Sequence, residues 1–502
     1  MKEIGVVASN SRSCDAPILV YKAAENDVRE EALVVVEDAK FKTRYLGVLR
    51  WVTKYDPLLS TGQRSAVVEK PEIAEGGVEI PYETSSVRII GVISNGRLEP
   101  AATPPTPRSK VYLVESSHDL SLDMGSGLVV GAHKYSNVEL PLRIDALKYH
   151  VAVVGTTGTG KSRLVKALLD EVLAKTDYNI VIFDHTGTDY TPYWPEKTVK
   201  ADQIVLDLDT ITEGLESAVG VADDLISAYM PVALVEYAVC EAGFNELCNK
   251  LKNRAPDPRV LSSITRESLE EMFLTISRKG AWDTEKLANT VSHVASSLSA
   301  KSGTPQKLAL YLTLFAQHYV RRLNEMRYKV DELVKKVREE KMLVVDLSTI
   351  DTEARRVIVK RFLERFWEII TEDSKPVNTL IVIDEAHNYA CYQACTPSNR
   401  VIEKTLREGR KWGLGVVLVS QRVLDFSPDV RNNVNTVFFS KLQTPYDFEQ
   451  LKNFVDLAGV RSETLSMLET REFFFAGLGN PLKYPMLIKV REVGRAPGVA
   501  TG

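Results

Sequence analysis

The apolar positions along this chain change their rhythm near residue 150. Before that point they come in short runs, Ile4–Ala8, Ile18–Tyr21, Ala32–Val36 and Leu46–Val52, separated by Asp, Asn, Pro and Gly, which predicts the strands of a small β-barrel or sandwich. Val87–Ile93 and Lys110–Val114 read as further strands. Between them LEPAATPPTPR, Leu98–Arg108, holds too much proline for a sheet interior and is expected as an exposed loop. From His150 onward the strands become almost continuously apolar and alternate with helical segments, the pattern of a parallel sheet covered on both faces. Such strands are expected to begin at Val151, Asn179, Leu343, Leu380, Val416 and Thr436, while Glu472–Ala476 and Met486–Val490 flank GLGNPLKY as a closing hairpin. Between the second and third of these strands a long stretch with helical spacing of Leu, Ala, Val and Phe reads as an α-helical insertion. Its last piece, Gln306–Arg338, follows Pro305, which a first helical turn tolerates.

Composition narrows the class. A chain of 502 residues is too long for one core and predicts two or three domains. With 44% hydrophobic and 26% charged residues it has the balance of a soluble globular protein, with no apolar run of the roughly 20 residues a membrane span requires. The N-terminus lacks the pattern of a secretion signal, so a cytoplasmic protein is expected. Five cysteines, Cys14, Cys240, Cys248, Cys391 and Cys395, are read as ordinary thiols of a reducing compartment rather than a disulfide framework. A net charge of −4 excludes a surface that binds polyanions everywhere, so any nucleic-acid contact must be local.

Gly155–Ser162 reads GTTGTGKS, preceded by the strand VAVV and followed by the helical run RLVKALLDEVLAK. Gly155, Gly158 and Gly160 let the backbone turn tightly and aim amides at phosphate oxygens ahead of a helix N-terminus; Thr159 and Arg163 belong to the same nucleotide-binding run. Lys161 brings positive charge to the β- and γ-phosphates, and Ser162 offers its hydroxyl to Mg²⁺. In LIVIDE, Leu380–Glu385, Asp384 ends a buried strand where it can hold the magnesium shell, and Glu385 is placed to polarise an attacking water as general base. Asp184 in FDHTGTDY, also at a strand end, is a candidate to support magnesium or to couple the nucleotide to a pore. The charges of LREGRKWG, Arg407 and Arg410 among them, read either as solvated helix-end groups or, for Arg410, as a finger that reaches a neighbouring subunit's nucleotide and so demands an oligomer. Gln421 in SQR either caps a strand or senses the γ-phosphate. His185, His387 and Asp346 are read as structural.

These readings give an α/β fold: a RecA-like P-loop NTPase core over residues 146–204 and 341–502, a helical insertion over 205–340, and an N-terminal small β-barrel with its proline-rich loop over 1–145. The order GTTGTGKS, FDHTG, VVDLS, IDEAH, REGRKWG, VSQR and closing hairpin resembles the HerA family of DNA translocases within the HerA and FtsK group of P-loop motors. The resemblance implies a homo-hexameric ring that uses ATP and Mg²⁺, with Arg410 acting in trans and double-stranded DNA threading a central channel. It also implies a barrel face that docks a NurA-type nuclease for DNA end resection in homologous recombination. Two departures stand out. Tyr149 occupies the place before His150 where the family commonly has Arg, which weakens ATP binding or shifts that role to Lys148. The tail REVGRAPGVATG is short, although Pro497 and Gly498 remain candidates to close over the nucleotide. The alternatives from other classes are a protein-moving ATPase and a non-motor module in which ATP only locks an oligomer.

Overall fold

The computed structural model describes residues 1–55, 82–219, 224–252, 258–298, 300–301, 303–391, 395–423 and 426–494. The strands begin with β1 (Lys2–Val7), β2 (Asp15–Val20), β3 (Leu33–Asp38), β4 (Thr43–Tyr55), β5 (Tyr82–Ser94), β6 (Arg97–Glu99) and β7 (Lys110–Leu113). Their order β2-β1-β7-β3-β4-β5 is closed by antiparallel pairing of β2 with β5, leaving β6 on the outside of a barrel. Closure removes the open edges that a sheet of this size would otherwise expose. Alternating residues such as Val34, Val36, Tyr45, Leu49, Val87 and Val111 fill the interior, each fully buried. The proline-rich segment runs over the surface and is pinned by Asp38, whose carboxylate accepts from Thr106 N at 2.8 Å and Thr106 Oγ1 at 2.6 Å.

The chain continues through β8 (Gly131–His133), β9 (Val151–Val154), helix α1 (Lys161–Lys175), β10 (Asn179–Asp184) and β11 (Thr198–Lys200). After a helical stretch come β12 (Met342–Asp346), α2 (Thr352–Asp373), β13 (Thr379–Ile383), α3 (Ser398–Glu408), β14 (Leu414–Ser420), β15 (Thr436–Phe439), β16 (Glu472–Gly477) and β17 (Met486–Val490). The described residues form two compact units, one of residues 1–177, 416–425 and 431–494, the other of residues 178–415 and 426–430.

In the first unit the barrel is accompanied by strands in the order β14-β9-β15-β16-β17-β8. β14, β9 and β15 are parallel, and β16, β17 and β8 continue antiparallel. Every residue of VAVV in β9 is buried, which is why its pattern is a continuous apolar run and not an alternation. Cross-strand rings tie β15 to β16, with Phe438 stacked on Phe475 at 4.5 Å and Phe439 on Phe474 at 5.3 Å. β8 has no counterpart in the strands expected from the sequence: at three residues it is too short to show a period. Arg50 leaves β4 at an irregularity in the β4–β5 register and is fully buried. Its guanidinium meets Glu31 at 3.0 and 3.1 Å and donates to the carbonyls of Leu457, Ala458 and Pro485.

In the second unit four strands run parallel in the order β11-β12-β10-β13. The helical stretch between β11 and β12 departs from the sequence reading in one place. Gln306–Arg338 is not one long helix but lies across Thr304–Phe315, Gln317–Leu323 and Val330–Glu340. The chain breaks because Arg327 N and Tyr328 N donate to Gln203 O, at 2.7 and 3.0 Å, instead of to their own preceding turn. Pro305 does sit in the first turn of the first of these helices.

The cysteine reading is corrected. Cys240 pairs with Cys248 and Cys391 with Cys395 in disulfides, while Cys14 is free and exposed. Both pairs are local: Cα atoms eight and four residues apart lie 4.9 and 5.4 Å from each other, a proximity that an odd count of scattered cysteines does not reveal. Among the described residues, no helix is long and apolar enough to cross a membrane.

Candidate nucleotide-binding site

In the first unit GTTGTGKS joins β9 to α1. Gly158 and Gly160 hold φ of +84° and +95°, the left-handed region that side chains avoid. Gly155 is needed for a different reason: a Cβ there would lie 2.9 Å from Thr159 Oγ1 and 3.3 Å from Ser440 Cβ. The loop is tied to neighbouring strand ends by Gly155 N donating to Ser420 O at 3.3 Å and Thr156 N to Lys441 O at 2.8 Å. Thr159 is buried and its hydroxyl donates back to Thr156 O at 2.8 Å, closing the curl. Lys161 opens α1 and its ammonium folds over the loop, 2.9 Å from Gly155 O and 3.2 Å from Thr156 O. Ser162 is half-buried and Arg163 exposed on the first turn of the same helix. A helix N-terminus preceded by amides in this conformation is an anion site, and a cation at its mouth strengthens it.

Gln421 follows β14 and its Oε1 accepts from Thr157 Oγ1 at 3.2 Å, which puts it in contact with the loop itself. Tyr149 ends a six-residue 3₁₀ helix before β9, with its carbonyl accepting from Asn435 N at 3.0 Å and Lys148 Nζ 5.8 Å from its ring centre. His150 is buried at φ +64° and its Nδ1 accepts from Val416 N at 3.1 Å, which ties the entry to β9 to β14.

In the second unit the ends of β10 and β13 gather the acidic groups. Asp384 is 3% exposed, and its Oδ2 has no hydrogen-bond partner among the described residues. Burial, followed by the charges of Asp189, Glu385 and Asp184, pushes its carboxyl well above the usual carboxylate range. Glu385 follows in a left-handed conformation, φ +43° and ψ +48°, and its Oε2 stands 3.2 Å from His387 Nδ1. A non-glycine residue held in that region marks a place where the surroundings over-determine the backbone.

Asp184 is fully buried and differently placed. Its carboxylate accepts from Gly187 N at 3.0 Å and from Tyr190 N and Thr191 N at 2.9 Å, so both oxygens organise its own loop. Beside it, Arg355 Nη1 lies 3.2 Å from His185 Nε2, and His185 Nδ1 lies 2.7 Å from Tyr389 Oη. A guanidinium only donates, so Nε2 accepts and the proton resides on Nδ1. Burial first, then Arg355, lowers the pKa of His185 and keeps the ring neutral. Asp346 caps the turn after β12, accepting from Ser348 N at 3.0 Å and Ser348 Oγ at 2.6 Å, the strand-end role expected for it.

Arg410 lies exposed on the short helix Gly409–Trp412, and Arg407, also exposed, is 3.4 Å from Glu408. Pro497 and Gly498 lie outside the described residues. The features that sequence reasoning missed are the approach of His387 Nδ1 to Glu385 Oε2, the Arg355–His185–Tyr389 chain and the Thr157 partner of Gln421. Only the i, i+2 spacing of Glu385 and His387 was open to inspection in the sequence, and that spacing alone is common.

A strand, a glycine loop with two left-handed turns, a helix that opens on lysine and an acidic pair following a parallel strand define a P-loop nucleotide-binding protein. Residues 128–366 match the family model described as "Helicase HerA, central domain", the family that the motif order resembles. Over most of its length the chain is similar to HerA proteins. It is 24% identical over 501 residues to the DNA double-strand break repair helicase HerA of Sulfurisphaera tokodaii, covering 97% of this chain and 92% of that one. To the protein of the same name from Sulfolobus acidocaldarius it is 25% identical over 408 residues, covering 79% and 75%. Among solved structures, VirB4 of Thermoanaerobacter pseudethanolicus matches with a TM-score of 0.48 at 15% identity, covering 74% of this chain and 97% of that one.

Proposed function

We propose that this chain hydrolyses ATP and uses the cycle to translocate along double-stranded DNA, as a motor in DNA double-strand break repair. The observation that carries the reading is Asp384. A carboxylate oxygen buried without a partner costs stability, and a protein retains such a group where a bound cation satisfies it. Its raised pKa belongs to the metal-free carboxyl, and an ion there favours the charged form. Asp384 therefore fits a Mg²⁺-holding role, and Ser162 enters this proposal from its place in the GTTGTGKS motif. When bound, the ion supplies charge neutralisation at the β- and γ-phosphate oxygens.

The remaining roles follow from chemistry and position. The loop amides and Lys161 hold the phosphates. Glu385 orients the attacking water and takes its proton. Gln421, already touching Thr157, reports loss of the γ-phosphate to β14. Arg410, exposed on its short helix, acts on the nucleotide of an adjacent copy, which makes the working form a ring, read as a homo-hexamer. DNA contact is local to that ring's channel, in keeping with the net charge of −4. The curated relatives are named as repair helicases; a NurA-type nuclease partner and end resection are the finer part of this proposal.

The test is steady-state ATP hydrolysis with and without linear duplex DNA, beside Lys161→Ala and Glu385→Gln. Duplex DNA is expected to raise turnover. Lys161→Ala abolishes nucleotide binding, whereas Glu385→Gln binds ATP and loses about 10² to 10⁴ in kcat. Turnover indifferent to DNA overturns the motor, and unchanged turnover in Glu385→Gln overturns the mechanism.

A further inference from the structure

We infer that the turn Glu469–Arg471, immediately before β16, is a positioning clamp that holds two carbonyls of the P-loop outward so that its amides face the nucleotide phosphates. The inference rests on the nucleotide-binding reading above and names residues that no motif contains.

Two donors from this turn reach the loop. Thr470 Oγ1 donates to Gly158 O at 3.2 Å, and Arg471 N donates to Thr159 O at 2.8 Å. These carbonyls belong to adjacent peptide units between the left-handed Gly158 and Gly160. The geometry matters because each peptide has an amide at one end and a carbonyl at the other. A loop that presents amides to phosphate must send its carbonyls the opposite way, and a carbonyl rotated inward would repel the anion. Donors placed behind the loop favour the productive rotation.

The clamp is itself held firmly. Arg471 sits at φ +71°, an uncommon conformation for a residue with a side chain, and keeps it because its surroundings fix both neighbours. Glu469 N donates to Glu472 Oε2 at 2.9 Å, and the fully buried Glu472 also binds Lys134 Nζ at 2.8 Å. Val490 N donates to Arg471 O at 2.9 Å, and Arg471 Nη1 meets Glu492 at 2.7 Å. Fit is close as well: a Cβ on Gly160 would lie 3.2 Å from Arg471 N and 3.3 Å from Arg471 Cγ. The turn before the closing hairpin thus reaches the nucleotide loop through two consecutive residues, Thr470 and Arg471, and Thr470 is a positioning residue for phosphate binding.

The experiment uses the full chain with Thr470→Val, which keeps the shape of an exposed side chain and removes its hydroxyl, Thr470→Ser, which restores it, and Lys161→Ala as the blank. Equilibrium binding of a fluorescent ATP analogue, steady-state KM and kcat, and unliganded melting are measured for each. Loss of one such bond predicts that Thr470→Val raises Kd and KM about five- to tenfold, since both ground and transition states use the same amides. Its kcat and unliganded melting stay at the wild-type level, and Thr470→Ser recovers the affinity. Equal affinity of the Val variant and wild type overturns the clamp while leaving the P-loop reading intact. A loss that tracks lowered melting, or that Ser fails to recover, also overturns it. Failure of wild type to bind more analogue than Lys161→Ala sinks the nucleotide reading itself, and the clamp with it.

Discussion

Thr157 Oγ1 stands 3.2 Å from Gln421 Oε1, so one side-chain bond joins the phosphate loop to the residue that follows β14. In the cycle proposed above, a γ-phosphate at the loop competes for the Thr157 hydroxyl and its departure returns that hydroxyl to Gln421. On that reading the pair has two bonding states that differ by one phosphate, which is what a sensor needs. Gln421→Ala is expected to leave ATP affinity within about threefold, because most phosphate contacts remain, and to lower kcat about 10- to 100-fold through lost positioning at the transition state. Stimulation by duplex DNA should fall with it. Steady-state kinetics at several DNA concentrations check both, and a variant with wild-type kcat rules out the sensor role.

Asp384 makes a prediction of the opposite sign for stability and for activity. Its Oδ2 is buried without a hydrogen-bond partner among the described residues, an arrangement that costs the unliganded protein about 1 to 3 kcal/mol. Asp384→Asn removes the ionisable group from that environment, so the metal-free protein should melt at a higher temperature while hydrolysis falls by at least tenfold and Mg²⁺ no longer raises the melting point. Thermal melting with and without Mg²⁺ and ATP, beside turnover, tests this. A variant that melts lower than wild type and still responds to Mg²⁺ would show that Asp384 has a different task.

Much of this was open to reading in the sequence, and the limits have physical causes. Strands such as VAVV at Val151 and NIVIF at Asn179 are legible because a strand buried on both faces must be apolar throughout. GTTGTGKS is legible because left-handed turns at Gly158 and Gly160 admit little else. The clamp at Thr470–Arg471 was hidden, since it works through a backbone amide that any residue but proline carries and a hydroxyl 312 positions from its acceptor. The disulfides were misread because pairing depends on how close two Cα atoms come in the folded chain, which a cysteine count does not encode. The break within Gln306–Arg338 depends on a distant carbonyl, Gln203 O, that local periodicity cannot register.

His133 predicts acid sensitivity in the first unit. It is fully buried, its Nε2 donates to Glu31 O at 2.9 Å, and its Nδ1 lies 3.0 Å from Ser136 Oγ. Burial lowers its pKa to about 4, from an ordinary value of 6.5. The neutral ring is the folded form, so its contribution is complete above pH 6.5 and declines as pH falls toward 4, where the unfolded chain already holds the proton. Over that window the loss amounts to about 3 kcal/mol. His133→Gln should flatten this part of the pH–stability curve, measured by denaturant unfolding between pH 7 and pH 4. An unchanged slope would place the acid sensitivity elsewhere.

The Arg50–Glu31 pair predicts an asymmetry between single and double substitutions. Both side chains are buried, at 0% and 1% exposure, and the guanidinium also serves three backbone carbonyls and lies 5.2 Å from the Tyr484 ring centre. Glu31→Ala leaves that cation buried without its counter-charge, which is expected to cost about 3 to 5 kcal/mol. Replacing both groups, Arg50→Met with Glu31→Leu, removes the buried charge altogether and fills the space with apolar atoms. It is expected to be less damaging than either single change, although the carbonyls of Leu457, Ala458 and Pro485 lose their donor. Guanidinium denaturation of the four proteins in one double-substitution cycle measures the coupling directly. A double variant as unstable as the sum of the two singles would mean that Arg50 stabilises through those carbonyls, with Glu31 contributing separately.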